Sequence, residues 1–154
     1  MSDYVRIKAV RYKFKDEELA EFQGKAKDEY DYLPDIMLRE LNLKEAFDIG
    51  KETDYRFHQF TINSGLNFKN YKYEYFLDFL LYYEYGAGGD FEFCRELTEE
   101  ENEKLLPYFK KKFPNLNIDE LRFVDYSYYN GVDEPAIWNT TKIDDTDFMF
   151  LGDD

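Results

Sequence analysis

Alternation of apolar and polar positions predicts strands along much of the chain. The longest such pattern runs over residues 71–85, where Tyr, Leu or Phe occupies every odd position. A period of two over that length is typical of a strand with one buried face. Phe76, Phe79, Leu80 and Tyr83 also share a helical face, so a helix over residues 76–83 is the rival interpretation. We favour the strand.

The first strand is predicted over residues 4–14, with a change of phase inside it. Val5, Ile7 and Ala9 share one parity, and the apolar positions after Ala9 take the other. Such a change indicates a β-bulge, or a strand that ends near Ala9. Shorter β-branched and aromatic runs predict further strands at residues 55–62, 90–97, 121–129 and about 136–141.

Three segments have the start signals and spacing of helices. Asp16 caps a short helix with Leu19 and Phe22 on one face. Leu33-Pro34 starts a second, which residues 44–49 extend in one interpretation. Thr98 and Glu101 form a capping box for a third, which Pro107 is expected to kink or divide.

Glycine-rich turns complete the predicted topology. Residues 86–89 (Gly-Ala-Gly-Gly) predict a hairpin into the strand at 90–97. Asn130-Gly131 is a favoured hairpin turn, although Pro135 favours a longer loop before the last strand. The resulting order, β-α-α-β-β-β-α-β-β, predicts an α+β domain. We expect a mainly antiparallel sheet of about five or six strands with two or three helices.

Composition indicates one acidic domain. The 154 residues carry a net charge of −14, and 20% are aromatic. The basic residues Arg6, Lys8, Arg11, Lys13 and Lys15 oppose only Asp3 in residues 1–15, so the rest holds all the excess acidity. Such charge disfavours nucleic-acid and anionic-membrane binding and favours a basic partner protein. The alternative is that acidity only keeps an aromatic-rich protein soluble.

Catalytic side chains are scarce. His58 is the only histidine and Cys94 the only cysteine, and each lies in a predicted strand where a structural role is the default. Two such residues do not make a zinc site, and Asp144, Asp145 and Asp147 lack the spacing of a calcium loop. The sequence therefore predicts no catalytic residue, no metal and no cofactor. A lone cysteine, no signal peptide and no long apolar span favour a cytoplasmic location.

The segment around residues 125–134 is the predicted partner-binding surface. It combines carboxylates and tyrosines with a turn near Trp138, which suits a recognition surface. The alternative is that the tyrosines pack the sheet. The predicted contact residues are Asp125, Tyr126, Tyr128, Tyr129, Asp133, Glu134, Trp138, Asp144, Asp145 and Asp147. The last three belong to a possible acidic tail at 144–154, whose apolar residues 148–151 dock on the domain or on a partner.

In size and charge the chain resembles immunity proteins that neutralise nuclease toxins and phage-encoded antagonists of nucleic-acid-handling defence enzymes. Some of those antagonists imitate DNA phosphates. The resemblance implies an inhibitory binding protein that occludes a basic site by charge complementarity. Two alternatives remain: a small magnesium-dependent enzyme acting on phosphate-containing substrates, and a self-associating accessory domain. The enzyme requires at least three converging carboxylates from separate strands.

Overall fold

The protein has an α+β fold with a mixed six-stranded sheet. The computed structural model describes residues 4–43, 59–87, 89–131 and 134–139. The elements in those ranges are β1 (Tyr4–Lys13), α1 (Asp16–Gln23), α2 (Leu33–Leu41), β2 (Gln59–Asn67), β3 (Lys72–Ala87), β4 (Phe91–Glu96), α3 (Glu99–Lys112), β5 (Arg122–Tyr129) and β6 (Glu134–Pro135). Their order is the predicted one, which confirms the α+β class.

The sheet order is β4-β5-β1-β3-β2-β6. The pairs among β1 to β5 are antiparallel, as expected, but β6 pairs with β2 in parallel through Gly65 and Leu66. The sheet is therefore mixed because the chain leaves β5 and returns to the opposite edge instead of folding back on its neighbour. The last strand was predicted at 136–141. Residues 136–139 lie outside any strand, and residues 140–141 fall outside the described ranges.

The hairpin predicted at residues 86–89 is wrong, and no hairpin forms at Asn130-Gly131, where Pro135 favoured a longer connection. β3 already has β1 on one edge and β2 on the other, so the glycine turn after it leads away to β4, which pairs with β5. Asn130-Gly131 likewise follows a strand with both edges occupied. The hairpin that forms joins β2 to β3, where Asn67 pairs with Lys72. Tyr71 takes a left-handed conformation in its turn, with φ of 56°.

The change of phase in β1 reflects burial on both faces. β1 runs unbroken to Lys13, and Ala9, Val10, Arg11 and Tyr12 are all buried. A bulge does lie beside Ala9, but Leu81 of β3 is the extra residue, because Lys8 faces Tyr82 and Ala9 faces Leu80. The pairing of β1 with β5 continues without a shift.

β3 is the strand predicted from residues 71–85, which excludes the rival helix. The expectation of a single buried face is wrong. Phe76 and Leu80 are fully buried along with Leu77, while Tyr73 and Tyr85 at the odd positions are exposed. β3 lies inside the sheet with both faces covered, so its interior residues are buried whatever their parity.

Helices cover one face of the sheet, hereafter the helix face. Val10, Phe60, Phe79, Phe109 and Phe123 lie in the main core there. α3 begins at the predicted capping box, in which Glu101 N donates to Thr98 Oγ1 at 3.2 Å and Thr98 N to Glu101 Oε1 at 2.8 Å. It continues through Pro107, which excludes the predicted division of the helix and leaves the kink a prediction.

Residues 134–139, hereafter the strap, cover the opposite face. Ile137 is buried there among Val5, Ile7, Leu80 and Val124. None of the helices in the described ranges has the length and apolar character to cross a membrane. The predicted extension at 44–49, His58 and the apolar run 148–151 fall outside the described residues.

Candidate partner-binding surface

The basic residues of the first strand are paired inside the molecule. Arg6 donates from Nε and Nη2 to Asp125 at 3.0 and 2.8 Å. Lys13 Nζ lies 2.6 Å from Glu74, and Lys15 Nζ lies 3.0 Å from Asp119. Each of these cations, although about one-third exposed, therefore has its charge matched by an adjacent carboxylate. Their carboxylate partners come from β3, β5 and the loop before β5.

Arg11 is the most buried of these cations. Its Nε and Nη2 each donate to Asp78 at 2.8 Å, and Nη2 also donates to Tyr126 Oη at 3.0 Å. Asn63 donates to the same carboxylate at 2.6 Å, and the guanidinium lies 3.9 Å from the ring centroid of Phe76. Burial alone would lower the pKa of Arg11, but Asp78 outweighs it and raises that pKa well above its usual range.

The strap closes over this cluster. Tyr128 and Tyr126 donate to Glu134 at 2.9 and 3.4 Å. Burial raises the pKa of Glu134 to about 7, against the opposing effect of Arg11 and the tyrosine hydrogen bonds. Cys94 Sγ donates to the carbonyl of Trp138 at 3.1 Å, and burial raises the pKa of its thiol.

Gly65 lets the strap lie directly on β2. A Cβ atom there would come within 2.6 Å of Pro135 C and Ala136 N, closer than such atoms approach. Trp138 then stacks on Phe76 at a centroid distance of 6.4 Å, and the Arg122 guanidinium lies 5.5 Å from its ring. The strap thus reaches from the edge of the sheet to its centre.

Of the predicted contact residues, Tyr126, Tyr128, Glu134 and Trp138 lie in or under this arrangement. Asp125 and Tyr126 are fully buried and held by Arg6 and Arg11. Tyr128, Glu134 and Trp138 are partly buried. Tyr129 is 46% exposed and packs edge-on against Tyr4 at 5.6 Å. Asp133, Asp144, Asp145 and Asp147 fall outside the described residues. The interpretation in which the tyrosines pack the sheet therefore describes Tyr126, and Tyr129 is the predicted aromatic residue that faces solvent.

A surface cleft of about 450 Å³ lies at the end of β1, hereafter the β1–α1 cleft. Its charged lining residues are Lys13, Lys15, Asp16, Glu17, Lys72, Glu74, Asp119 and Glu120. Tyr73, Tyr75 and Trp138 supply aromatic walls. Lys72 Nζ lies 3.1 Å from Asp16, so each lysine of the cleft is already paired with a carboxylate of the cleft.

Glu18 fixes the walls of this cleft. Its carboxylate accepts from Tyr12 Oη at 2.5 Å, from Lys15 N at 2.9 Å and from Asn117 N at 2.9 Å. These bonds join β1, α1 and the loop before β5, which are the elements that carry the lining residues. Burial and the hydrogen bond to Glu18 raise the pKa of Tyr12 above its usual range. A buried, fully bonded carboxylate of this kind makes the cleft a fixed feature of the fold.

Sequence reasoning missed the cleft. Glu74 occupies a polar position in the alternating pattern of β3, where a solvent-facing side chain is expected, yet it is only 6% exposed. Its neighbours in the cleft come from chain positions far apart, and no local signal links them. Among the described residues there is no group of three or more His, Cys, Asp or Glu side chains arranged to hold a metal ion.

Comparisons with protein-family models, curated proteins and solved structures find no match.

Proposed function

We propose that this protein is an inhibitory binding protein that occludes a basic site on a partner, by charge complementarity. The partner class that fits is a nuclease or another nucleic-acid-handling enzyme, because such enzymes carry basic surfaces that bind phosphates. Carboxylates on the inhibitor replace those phosphates.

The internal pairing of the basic strand carries this proposal. The sequence has a basic beginning and an acidic remainder, but Arg6, Arg11, Lys13 and Lys15 are all bound to carboxylates of the fold. Among the described residues, exposed Asp and Glu outnumber exposed Lys and Arg. Each pair is neutral as a unit, so the basic beginning of the chain does not offset the acidic excess of the exposed residues, and a basic partner meets a net negative surface.

Exposed aromatic side chains add anchors to this acidic surface. Phe68 and Tyr71 in the β2–β3 turn are 67% and 80% exposed, and Tyr73 is 43% exposed. Asn70 and Lys72, which flank Tyr71, both line the β1–α1 cleft. Aromatic residues beside charged ones are typical of the few positions that dominate binding energy. We place the contact surface at this turn and cleft.

The decisive experiment is reconstitution with a purified partner. Proteins that the tagged chain captures from a lysate of its native setting are purified and mixed with it at equimolar concentration. A stoichiometric complex by light scattering, together with loss of the partner's nucleic-acid binding or cleavage, supports the proposal. A Phe68→Ser, Tyr71→Ser double variant is expected to weaken the complex, and Tyr30→Ser, exposed on the α1–α2 loop, serves as its control.

Two results would contradict the proposal. The first is a complex that leaves the partner's nucleic-acid binding intact at saturation. The second is failure of every captured protein to form a stoichiometric complex after purification.

A further inference from the structure

Glu74 has a carboxylate oxygen without a hydrogen-bond donor. Its Oε2 accepts from Lys13 Nζ at 2.6 Å and from Asn67 Nδ2 at 3.4 Å, whereas Oε1 is buried and finds no donor among the described residues. Leaving a buried carboxylate oxygen unsatisfied costs free energy, more than for a neutral group. Glu74 also lines the β1–α1 cleft, so a ligand that takes the place of Lys13 on this carboxylate can supply the missing donor.

The charges of the cleft favour a cation. Carboxylates outnumber lysines among its lining residues, and each lysine is matched by its own carboxylate. Glu17 and Glu120 add negative charge, and Glu120 also forms an ion pair with Arg122 at 3.1 Å. An incoming cation therefore meets a net negative cleft.

The Glu74 carboxylate suits a guanidinium better than an ammonium. A guanidinium is planar and carries several N–H donors in a fixed fork that matches a carboxylate. It also stacks on aromatic rings, and Trp138, which lies over Phe76 on the same face of the sheet as Glu74, lines the cleft. An ammonium has no planar face, and Lys13 already occupies the place that an ammonium takes on Glu74.

We propose that the β1–α1 cleft receives an arginine side chain of the partner, with Glu74 as its carboxylate acceptor. The assignment rests on the proposed function and names the chemistry of its central contact. The incoming guanidinium displaces the Lys13 ammonium, whose side chain is 32% exposed and free to swing toward solvent. The exchange leaves Glu74 with a bidentate partner.

The test uses N-acetyl-arginine amide as the probe and NMR of the ¹⁵N-labelled full chain as the readout. Trp138 is the only tryptophan, so its indole N–H gives one identifiable signal in the wall of the cleft. Saturable shifts of this signal and of the amides of residues 72–75 are expected. N-acetyl-citrulline amide, which has the same shape without the charge, and N-acetyl-lysine amide are the comparison ligands.

Two variants with opposite expected effects on the affinity for the arginine probe test the assignment. Glu74→Gln is expected to weaken binding of the arginine probe by roughly tenfold, because one charge-assisted hydrogen bond is lost. Lys13→Met removes the internal competitor and is expected to tighten binding of the probe. Glu103→Gln, exposed on α3 and outside the cleft, is the matched control and leaves the affinity unchanged.

Equal shifts with the citrulline or lysine probe, or an unchanged affinity in Glu74→Gln together with Lys13→Met, overturn the assignment. That outcome is distinct from failure of the proposed function, because a salt-sensitive inhibitory complex with the partner can form through other carboxylates. Conversely, a chain that binds the arginine probe but forms no inhibitory complex retains the cleft assignment and loses the proposed function.

Discussion

Arg11 shows how a charged residue is accommodated in the centre of this sheet. It is fully buried, and two hydrogen bonds to Asp78, one to Tyr126 and the face of Phe76 replace the water it loses. Its Nη1 has no hydrogen-bond partner among the described residues, so the replacement is incomplete.

Removing the charge of Arg11 leaves Asp78 buried without its cation. We expect Arg11→Met to destabilise the protein by about 3–5 kcal/mol, the cost typical of breaking a buried ion pair. Equilibrium unfolding in urea measures the change. Arg39→Met is the control, since Arg39 pairs with Asp31 at 2.9 Å on the surface and its loss is expected to be far smaller. Equal losses in the two variants would contradict the importance assigned to burial.

Glu134 gives the strap a dependence on pH. Its pKa is about 7 in the folded protein against an ordinary value of 4.5, so the folded state binds the proton more tightly. Its contribution to stability is therefore present below pH 4.5 and is lost as the pH rises toward 7. The neighbouring charged and titratable groups are Arg11, Asp78, Tyr126 and Tyr128.

Glu134→Gln imitates the protonated form and removes this titration. The stability of the variant relative to the natural chain is expected to rise between pH 5 and pH 8, by at most about 3 kcal/mol. Thermal unfolding across that range measures it. Tyr128→Phe, which removes a donor that favours the ionised form, is expected to move the transition to higher pH. A relative stability that stays constant with pH would refute the role of Glu134.

Asp125, Tyr126 and Tyr129 show what a sequence cannot reveal about exposure. Asp125 and Tyr126 lie in a segment rich in carboxylates and tyrosines, which is why they were predicted to contact a partner. They lie inside the sheet, where Arg6 and Arg11 of the neighbouring strand β1, 119 and 115 positions away, hydrogen-bond to them. Tyr129 is exposed because it lies at the end of its strand. Local composition identifies the interacting residue types, and tertiary pairing decides which of them reach solvent.

The strap depends on one position in β2. Gly65→Ala is expected to destabilise the protein by about 3 kcal/mol, because its Cβ would overlap the backbone of residues 134–136. The fluorescence of Trp138, which reports on the strap, should change in the same variant. Gly24→Ala is the control, because its Cβ meets only ordinary contacts at 3.4 Å or more. Normal stability and unchanged fluorescence in Gly65→Ala would show that the strap does not need the close approach.

Elements with local signals were predicted well, and their pairings were not. The capping box of α3 and the alternation in β3 are both written within a few residues of the element they define. The partner of a strand is chosen by the whole sheet. The glycine turn after β3 resembles a hairpin turn, but β1 and β2 already hold both edges of that strand. The turn residues alone therefore gave the wrong pairing partner for β4.

At the scale of the molecule, the prediction concerns how charge acts on association. If the acidic surface steers a basic partner, raising the salt concentration from 50 to about 500 mM should slow association by roughly tenfold or more. The dissociation rate should change little, because short-range contacts govern it. Surface plasmon resonance with the purified partner measures both rates. A dissociation rate that responds as strongly as the association rate would rule out steering as the main effect.

Net charge follows directly from composition, but the distribution of charge over the surface does not. The sequence suggested a basic first strand and an acidic remainder, and the structure joins the two through ion pairs. The fold class followed from the order of elements, whereas the mixed character of the sheet depended on where the chain crosses after β5. The β1–α1 cleft draws on β1, α1, β3 and the strap together.

The position of β1 in the sheet has a consequence for how the protein is made. β1 is flanked by β3 and β5, so Arg6 meets Asp125 only after more than a hundred further residues have left the ribosome. Until then its cations and apolar side chains are bound to water or to transient neighbours. Sheets built from such distant partners fold slowly. The nascent chain thus passes through a period in which Arg11 and Lys13 can already pair with β3 while Arg6 still waits for Asp125, so the charges of the first strand are neutralised in steps.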